Sequence, residues 1–420
     1  MTHATLPSTT VTASPAHLAE LGGGHSCEFT RDLASNAASR PRWGRLHLTD
    51  EESQNLAEAA RQSTCDPAAD PAGFRAEAQL GWAALNSATL DRLAKFARGE
   101  SGRPELYITN LPLDTTLPPT PVNGQFTDSV TSTMGEYLQV TFSLALGLPI
   151  SYLDQRAGRL VHDVFPTRFN AEQVSSQSSA VTLGFHTEMF FHPQPPEFLI
   201  LHCLRPDPEH RAATSIASLD DIKSRLTEQQ ISVLSEPRFA LDLARLHGTY
   251  RFDGRTIDET DPRPVIAIVD EKSAGGVEFR FEPGLTTAID EHAHDALIAA
   301  DRAAEEVRAE GHLCEGGMLL LDNRRAVHSR SPFKANFDGR DRWLRRMMIG
   351  TTNDAGAEVM AQGFHRRPNL EVARAWETSG VALRVVPYGV GGYEDQRDTG
   401  QISVGSPERA NDTVQSGVTR

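Results

Sequence analysis

Three side chains in the sequence have the types and the spacing to hold a metal ion. His186 and Glu188 stand two residues apart in GFHTEMFFHPQPPEF, and His328 stands far along the chain in LLLDNRRAVHSRSPF. Side chains two residues apart on an extended strand point to the same side, so His186 and Glu188 can present a nitrogen and an oxygen to one ion. His328 follows an apolar strand and a turn made by Asp322 and Asn323, and it is the best candidate for a third ligand.

The predicted ligand set indicates which chemistry to expect. Two histidines and one carboxylate on one face are typical of non-haem Fe(II) oxygenases, because they leave the opposite face open to a cosubstrate and O2. Zinc accepts the same ligands, so the three residues alone do not name the metal. The four cysteines have no CxxC spacing, which argues against a sulfur-based site. We predict that Cys203 and Cys314, which lie in apolar runs, are buried thiols in a reducing compartment.

Three further histidines lie near these motifs, and we predict that none of them is a ligand. His192 is six residues beyond His186 and precedes a proline, so it reaches the ion only if the chain doubles back. His162 lies in the strand-like run RLVHDVF, where it either packs in the core or contacts a substrate. His202 lies inside the apolar run EFLILHCL, and we predict that it packs in the core.

The elements that must position these residues indicate an α+β protein. Thr49 and Glu52 have the spacing of a capping box and predict a helix that starts there, and residues 128–147 predict a core helix stopped by Gly147. Several strand-like runs follow, interrupted by a long amphipathic helix that Gly311 closes. Early helices and many short strands with one helical insertion describe a β-sandwich or barrel core.

We predict a single domain at residues 41–390 between two polar extensions. Residues 1–40 are rich in Thr, Ser, Ala and Gly without a sustained period, and residues 391–420 have the same polar character. Both extensions are therefore predicted to be disordered. No internal repeat and no long linker divides the sequence between them.

The bulk composition favours a small-molecule partner. The formal charge of −15 opposes binding to nucleic acid, which needs a basic face, and it also opposes an anionic membrane surface. The first thirty residues lack the basic and apolar regions of a signal peptide, and no run of about 18 apolar residues suggests a membrane span. We therefore expect a cytoplasmic protein, and the sequence does not indicate its oligomeric state.

Three stretches of the sequence resemble one known family. GRLVHDVFP, GFHTEMFFHPQPPEFLILHCLR and GGMLLLDNRRAVHSRSPF with DGRDRWLRRMMI resemble the clavaminate synthase-like branch of the Fe(II)/2-oxoglutarate oxygenases. This branch includes hydroxylases of free arginine, asparagine and lysine, and the resemblance covers roughly residues 45–350. It implies a double-stranded β-helix (jelly-roll) core with flanking helices and a helical insertion. It also implies that the protein requires Fe(II), the cosubstrate 2-oxoglutarate and O2.

The resemblance also implies a 2-oxoglutarate site. The family places an arginine fourteen residues after the distal histidine and a threonine 28 residues after the first, and these positions are Arg342 and Thr214 here. The 1-carboxylate and 2-keto oxygen of 2-oxoglutarate chelate the iron, whereas its 5-carboxylate needs a buried cation and a hydroxyl donor. The planar fork of arginine binds a carboxylate through two hydrogen bonds and keeps its charge.

For the substrate, the resemblance implies a further group of residues. An arginine at the position of Arg346 binds the α-carboxylate in amino-acid hydroxylases of the family, and a structural ion pair is the alternative. Gln155, which precedes the GRLV strand, would hold the α-amino group together with Glu188, unless Gln155 is only solvated. Glu282 is the nearest acid for the substrate side chain. Arginine hydroxylases of the family have two aspartates in this stretch, and Gly284 stands where the second acid would be, which puts guanidinium recognition in doubt.

The predicted activity is hydroxylation of an unactivated carbon of a free L-amino acid or derivative in a biosynthetic pathway, with decarboxylation of 2-oxoglutarate to succinate. Related halogenases replace the carboxylate ligand by a small residue, whereas Glu188 is present here, which favours hydroxylation, desaturation or ring closure. Two alternatives stay open. One is an oxygenase for a carrier-bound or non-amino-acid substrate, and the other is a non-catalytic jelly-roll metal-binding or sensing protein whose metal is zinc or absent.

Overall fold

The computed structural model describes most of the chain between residues 43 and 367. The described residues are 43–67, 70–114, 116–122, 133–152, 159–192, 194–243, 251–252, 255–256, 263–272, 276–351, 358–359 and 365–367. Both predicted polar extensions lie outside this part of the chain, and so does Gln155.

The helices form an early group and a later group along the chain, with strands before, between and after them. They are α1 (Asp50–Gln62), α2 (Pro71–Leu80), α3 (Ser87–Ala97), α4 (Thr133–Ser143), α5 (Leu219–Lys223), α6 (Glu228–Leu234) and α7 (Glu291–Val307), with 3-10 turns at Gly81–Ala84 and Pro283–Leu285. The predicted capping box of α1 is confirmed: the Thr49 hydroxyl accepts a hydrogen bond from the Glu52 N–H, and the Glu52 carboxylate accepts one from the Thr49 N–H. No helix within the described ranges is long and apolar enough to cross a membrane.

The strands are short and fall mostly in the second half of the chain. They are β1 (Gly44–His47), β2 (Glu105–Thr109), β3 (Leu148–Tyr152), β4 (Val161–Val164), β5 (Leu183–His186), β6 (Phe198–Arg205), β7 (Thr214–Ser218), β8 (Phe239–Leu241), β9 (Arg251–Phe252), β10 (Arg255–Thr256), β11 (Val265–Ile266), β12 (Val269–Asp270), β13 (Glu278–Phe279), β14 (Thr286–Ala288), β15 (Ala309–Gly311), β16 (Met318–Asp322), β17 (Ala326–Arg330), β18 (Trp343–Gly350), β19 (Glu358–Val359) and β20 (His365–Arg367). The mixed helix and strand content agrees with the predicted α+β class.

Two sheets carry the residues of interest. The larger sheet has the strand order β1-β2-β16-β6-β18-β3-β20-β19, and β4 pairs with β18 beside this path. The smaller sheet has the order β15-β7-β17-β5 and is antiparallel throughout. Short pairs and a three-stranded sheet, β11-β8-β14, make up the remaining strands.

The larger sheet is buried on both faces, which explains its long apolar runs. On β6, Leu199 and Leu201 belong to a core cluster that also contains Ile216 of the smaller sheet. Phe198 and Ile200 point the other way, into a second cluster formed with helices α1 to α4. Because successive side chains on a strand alternate between faces, one strand can supply both cores only if nearly every residue is apolar.

Two predictions from the sequence are wrong in detail. Helix α7 ends at Val307, and Gly311 instead ends β15, because the chain there pairs with β7 rather than continuing the helix. Cys314 is disulfide-bonded and only partly buried, since it lies in the connection between β15 and β16 and not in a strand. Cys203 is the buried free thiol that was predicted, and burial raises its pKa to about 12.

Candidate metal centre

The three predicted ligands come together across two neighbouring strands. Antiparallel β5 and β17 place His186 directly opposite His328, with ring centroids 4.2 Å apart. Glu188 follows two residues after the end of β5, on the same side as His186. One ligand atom from each of these three residues lies within 4.8 Å of the others. Pairing of distant strands therefore assembles the set that the sequence placed 142 residues apart.

Both histidines present nitrogen atoms in the state that a metal needs. His186 Nδ1 lies 2.9 Å from the carbonyl oxygen of Gly184, which can only accept, so Nδ1 carries the proton and Nε2 has a free lone pair. His328 Nδ1 is buried and has no hydrogen-bond partner within the described part of the chain. Burial, followed by the neighbouring His186 and Arg346, holds the pKa of His328 well below its usual value, so its imidazole is neutral. These donors fit a divalent cation.

The pocket around these ligands also contains both residues predicted for 2-oxoglutarate. Thr214, the first residue of β7, and Arg342, which immediately precedes β18, line it and are buried. Burial lowers the pKa of the Arg342 guanidinium, and no described residue forms a hydrogen bond or an ion pair with it. A buried cation without a partner of its own fits an anionic ligand at this position.

A second buried arginine in this pocket, Arg330, was missed in the sequence. It stands two residues after His328 on β17 and therefore faces the same side. The spacing of these two residues in the sequence was enough to predict this. The Arg330 guanidinium donates only to neutral acceptors, namely Ser178 Oγ at 2.6 Å, Val181 O at 2.9 Å, and the carbonyl oxygens of Ser179 and Ser331, each at 3.2 Å. Burial, and then the nearby Arg342, lower the pKa of Arg330 to about 10. The two guanidinium groups make this end of the pocket strongly positive.

Arg346 lies on β18, four residues after Arg342, and both side chains line the same pocket. Its Nη1 donates to Glu188 Oε1 at 2.8 Å, and its Nη2 lies 2.9 Å from His162 Nδ1. Since a guanidinium can only donate, His162 Nδ1 is the acceptor, and His162 Nε2 donates to the carbonyl oxygen of Arg159 at 2.9 Å. The structure thus shows the ion pair that was the alternative for Arg346, and both of its partners line the candidate metal-binding pocket.

Glu282 lies close to β5, the strand that carries His186. It is not among the described residues that line the pocket. Its neighbour Phe281 pairs with Thr187: the Thr187 N–H donates to Phe281 O at 2.8 Å, and the Phe281 N–H donates to Thr187 Oγ1 at 3.1 Å. Thr187 therefore points away from the ligand set, as the alternation of the strand predicts. Glu282 follows directly and is partly buried beside β5.

The three other histidines considered in the sequence, His162, His192 and His202, are not part of the ligand set. His192 packs edge-on against Tyr152, with ring centroids 4.7 Å apart, and its Nδ1 lies 2.9 Å from Gln194 O. His202 is fully buried on β6, where burial and then the nearby Arg345 lower its pKa to about 3. His162 contacts Arg346 and lies neither in the ligand group nor in the pocket wall.

Comparison with known proteins identifies a family whose members resemble this chain over the segment that carries the candidate site. The family described as "Taurine catabolism dioxygenase TauD, TfdA family" matches residues 121–348, a span that contains the three ligands and all the arginines of the pocket. The chain is 34% identical to the L-lysine 3-hydroxylase of Catenulispora acidiphila over 72% of this chain and 83% of that protein. It is 30% identical to clavaminate synthase 2 of Streptomyces clavuligerus over 68% of this chain and 86% of that protein.

Solved structures show the corresponding likeness in three dimensions. An asparagine oxygenase in complex with Fe(II), 2S,3S-3-hydroxyasparagine and succinate matches with a TM-score of 0.65 and 25% sequence identity. The match covers 77% of this chain and 99% of that chain, so the similarity extends well beyond the pocket.

Proposed function

Because the chain belongs to the TauD/TfdA dioxygenase family, we propose that His186, Glu188 and His328 are the iron ligands of its active site. The enzyme is an Fe(II)/2-oxoglutarate-dependent oxygenase that uses O2, as the resemblance in the sequence predicted. One observation carries the assignment of the ligands: among the described residues, this is the one group of three that brings its ligand atoms within 4.8 Å of one another.

Bound Fe(II) supplies the redox chemistry that couples O2 and 2-oxoglutarate to oxidation of a carbon–hydrogen bond, with succinate and CO2 as the other products. The protein orients the ligands and limits the access of water. The Nδ1–H of His186 is fixed by Gly184, which keeps the ring turned toward the pocket. Val164, Leu201 and Leu344 give the pocket an apolar wall, which strengthens the electrostatic interactions inside it.

Arg342 and Thr214 are proposed to bind the 5-carboxylate of 2-oxoglutarate. The support is the buried guanidinium of Arg342, which has no carboxylate partner within the described part of the chain, beside a buried hydroxyl. Arg330 adds positive charge at the same end, while its Nη1 and Nη2 groups donate to neutral oxygens. A dianionic ligand would offset the charge of both arginines, whereas a neutral ligand would leave two buried cations without an anion.

The substrate is proposed to be a free L-amino acid or a close derivative. The support is the side-by-side placement of the Arg346 cation and the Glu188 anion, 2.8 Å apart at the edge of the pocket. An amino acid carries its own anion and cation one carbon apart, so its α-carboxylate matches Arg346 and its α-ammonium matches the Glu188 oxygen that is not bound to the iron. Gln155, predicted to assist at the ammonium, remains a proposal because it lies outside the described residues.

The substrate side chain is proposed to end in an amine or an amide. Glu282 is a single acid beside β5, and a single carboxylate can accept hydrogen bonds from either group. L-Lysine 3-hydroxylase and asparagine oxygenase, by their names, act on amino acids with these two side-chain types. L-Lysine and L-asparagine are therefore the first two substrates to test.

The two sheets are proposed to form a jelly-roll core within one oxygenase domain at residues 41–390. The support is the cluster of buried side chains that β6 and β18 of the larger sheet share with β7 and β17 of the smaller one. The pocket that contains the proposed ligands is lined by residues of both sheets, which also supports this arrangement.

The iron site can be tested by an anaerobic titration with Fe(II) in the presence of 2-oxoglutarate. We expect the visible absorption band of an Fe(II)–2-oxoglutarate chelate to appear with the wild-type protein and to disappear in His328→Ala. His47→Ala is the control, because His47 is an exposed histidine on β1. A wild-type protein without the band, or a His328→Ala protein that keeps it, would contradict the assignment.

A further inference from the structure

A single carboxamide holds the backbone of Glu188 on both sides of the residue. Asn323 Oδ1 accepts a hydrogen bond from the Glu188 N–H at 2.7 Å, and Asn323 Nδ2 donates to the Glu188 carbonyl oxygen at 3.1 Å. The same Nδ2 donates to the Pro196 carbonyl oxygen at 2.9 Å. These contacts are buried, and 135 residues of chain separate Asn323 from Glu188.

The backbone at Glu188 needs such a partner because the strand has already ended there. β5 stops at His186, and the next residue after Glu188, Met189, has a φ of 55°. That left-handed conformation is uncommon for a residue with a side chain and persists where the surroundings enforce it. The carboxamide of Asn323 takes the place of a neighbouring strand, since it satisfies the N–H and the C=O of one residue together.

Asn323 is itself fixed by the hairpin that carries another ligand. It stands in the turn between β16 and β17, five residues before His328, and its own N–H donates to the carbonyl oxygen of Glu197 at 2.9 Å. One hairpin therefore carries His328 and, through Asn323, also fixes the backbone of Glu188. A shift of the hairpin moves both ligands together.

We propose that Asn323 is a positioning residue for the metal centre, which sets the place of the Glu188 carboxylate relative to His186 and His328. The inference builds on the iron site proposed above. The required side chain offers one acceptor and two donor hydrogens in a flat group, which only an amide does at this length. Aspartate has the same shape, but it would place an oxygen against the two carbonyl oxygens that Nδ2 now serves.

The test is the affinity for Fe(II) of the full-length protein, measured anaerobically by equilibrium dialysis with iron quantified on both sides. We expect Asn323→Asp to bind Fe(II) about tenfold to a hundredfold more weakly than the wild type, the range typical when a partner of a metal ligand is lost. Asn110→Asp is the matched control, because the Asn110 amide also joins distant segments, to Leu48 O and Asp50 Oδ1, but lies away from the pocket. This control should keep the wild-type affinity.

The possible outcomes distinguish failure of the clamp, meaning the positioning of Glu188 by Asn323, from failure of the proposed iron site. A wild-type protein that does not bind Fe(II) would overturn the metal centre and the clamp with it. A wild-type protein that binds, together with an Asn323→Asp protein of equal affinity, would overturn the clamp alone. If Asn323→Asp does not fold, as judged by its thermal transition without metal, Asn323→Ser is measured instead. Serine keeps one short polar group, and an unchanged affinity in that variant would also overturn the proposal.

Discussion

Arg346 and Glu188 form an ion pair at the edge of the pocket, with Nη1 of the arginine 2.8 Å from Oε1 of the proposed iron ligand. The side chains are 14% and 8% exposed, so the pair is largely shielded from water, and removal of one partner would leave a buried charge without compensation. A pair in this position links the proposed substrate end of the pocket to the proposed metal end. If Arg346 binds the substrate, its replacement changes the KM for the amino acid. If the ion pair only stabilises the fold, the replacement lowers the Tm instead.

Replacement of Arg346 by methionine distinguishes these two roles. If Arg346 binds the α-carboxylate, Arg346→Met raises the KM for the amino acid by about tenfold to a hundredfold, because a charged hydrogen bond is lost on the enzyme side. The KM for 2-oxoglutarate should change little. Succinate formation at varied concentrations of each compound measures both values. An unchanged KM for the amino acid with a lowered Tm would instead identify a purely structural ion pair.

His162 should affect the substrate through Arg346. In His162→Phe the acceptor at Nδ1 is lost while the ring volume is kept, so Arg346 becomes less well fixed and we expect the KM for the amino acid to rise by about tenfold. His162→Asn restores an acceptor near the position of Nδ1 and should recover part of the loss. Equal KM values for the two variants would show that the hydrogen bond to Arg346 does not contribute.

The proposed binding of 2-oxoglutarate by Arg342 can be tested with a neighbouring arginine, Arg340, as the control. Arg342→Met should raise the concentration of 2-oxoglutarate needed for half-maximal turnover on the order of a hundredfold, because a bidentate carboxylate loses its cation. Arg340→Met is the control, since Arg340 is exposed and pairs with Asp338. The measurement is succinate formation against 2-oxoglutarate concentration. A similar small effect in both variants would contradict the proposed role of Arg342.

Glu282 can be tested by comparing two substrates in one variant. Glu282→Gln removes the charge but keeps the shape, so we expect turnover of an amine substrate such as L-lysine to lose about tenfold in kcat/KM. An amide substrate such as L-asparagine should be affected less, because its donor is neutral. Glu291→Gln, an exposed change in the first turn of α7, is the control. Equal effects on both substrates would argue against recognition of the side chain by Glu282.

The local features of the molecule follow from the sequence because they depend on near neighbours. The capping box at Thr49 and the placement of His186 and Glu188 on one side of the chain need only a few consecutive residues and local backbone geometry. The wrong end of α7 and the bonded state of Cys314 have a different origin. Pairing of residues 309–311 with β7 depends on a segment far away in the chain, and the pairing of a cysteine cannot be deduced from the sequence around it.

The residues that sequence reasoning missed act through distant contacts. Asn323 was recognised as part of a turn, but its side chain bonds to Glu188, and no local pattern contains that contact. Arg330 lay within reach of the same spacing argument that selected His186 and Glu188, since it faces the pocket two residues after His328. The ion pair of Arg346 was foreseen as an alternative, but its partner was not.

The most direct test of the account is the reaction of the iron-loaded protein with 2-oxoglutarate, L-lysine or L-asparagine, and isotopically labelled O2. The account predicts that succinate forms in proportion to an amino acid that is one oxygen atom heavier, and that mass spectrometry finds one labelled oxygen in each product. Succinate without any oxidised amino acid, across these two substrates and a panel of the other free L-amino acids, would contradict the proposed substrate class. Absence of both products from a protein that binds iron would contradict the oxygenase activity itself.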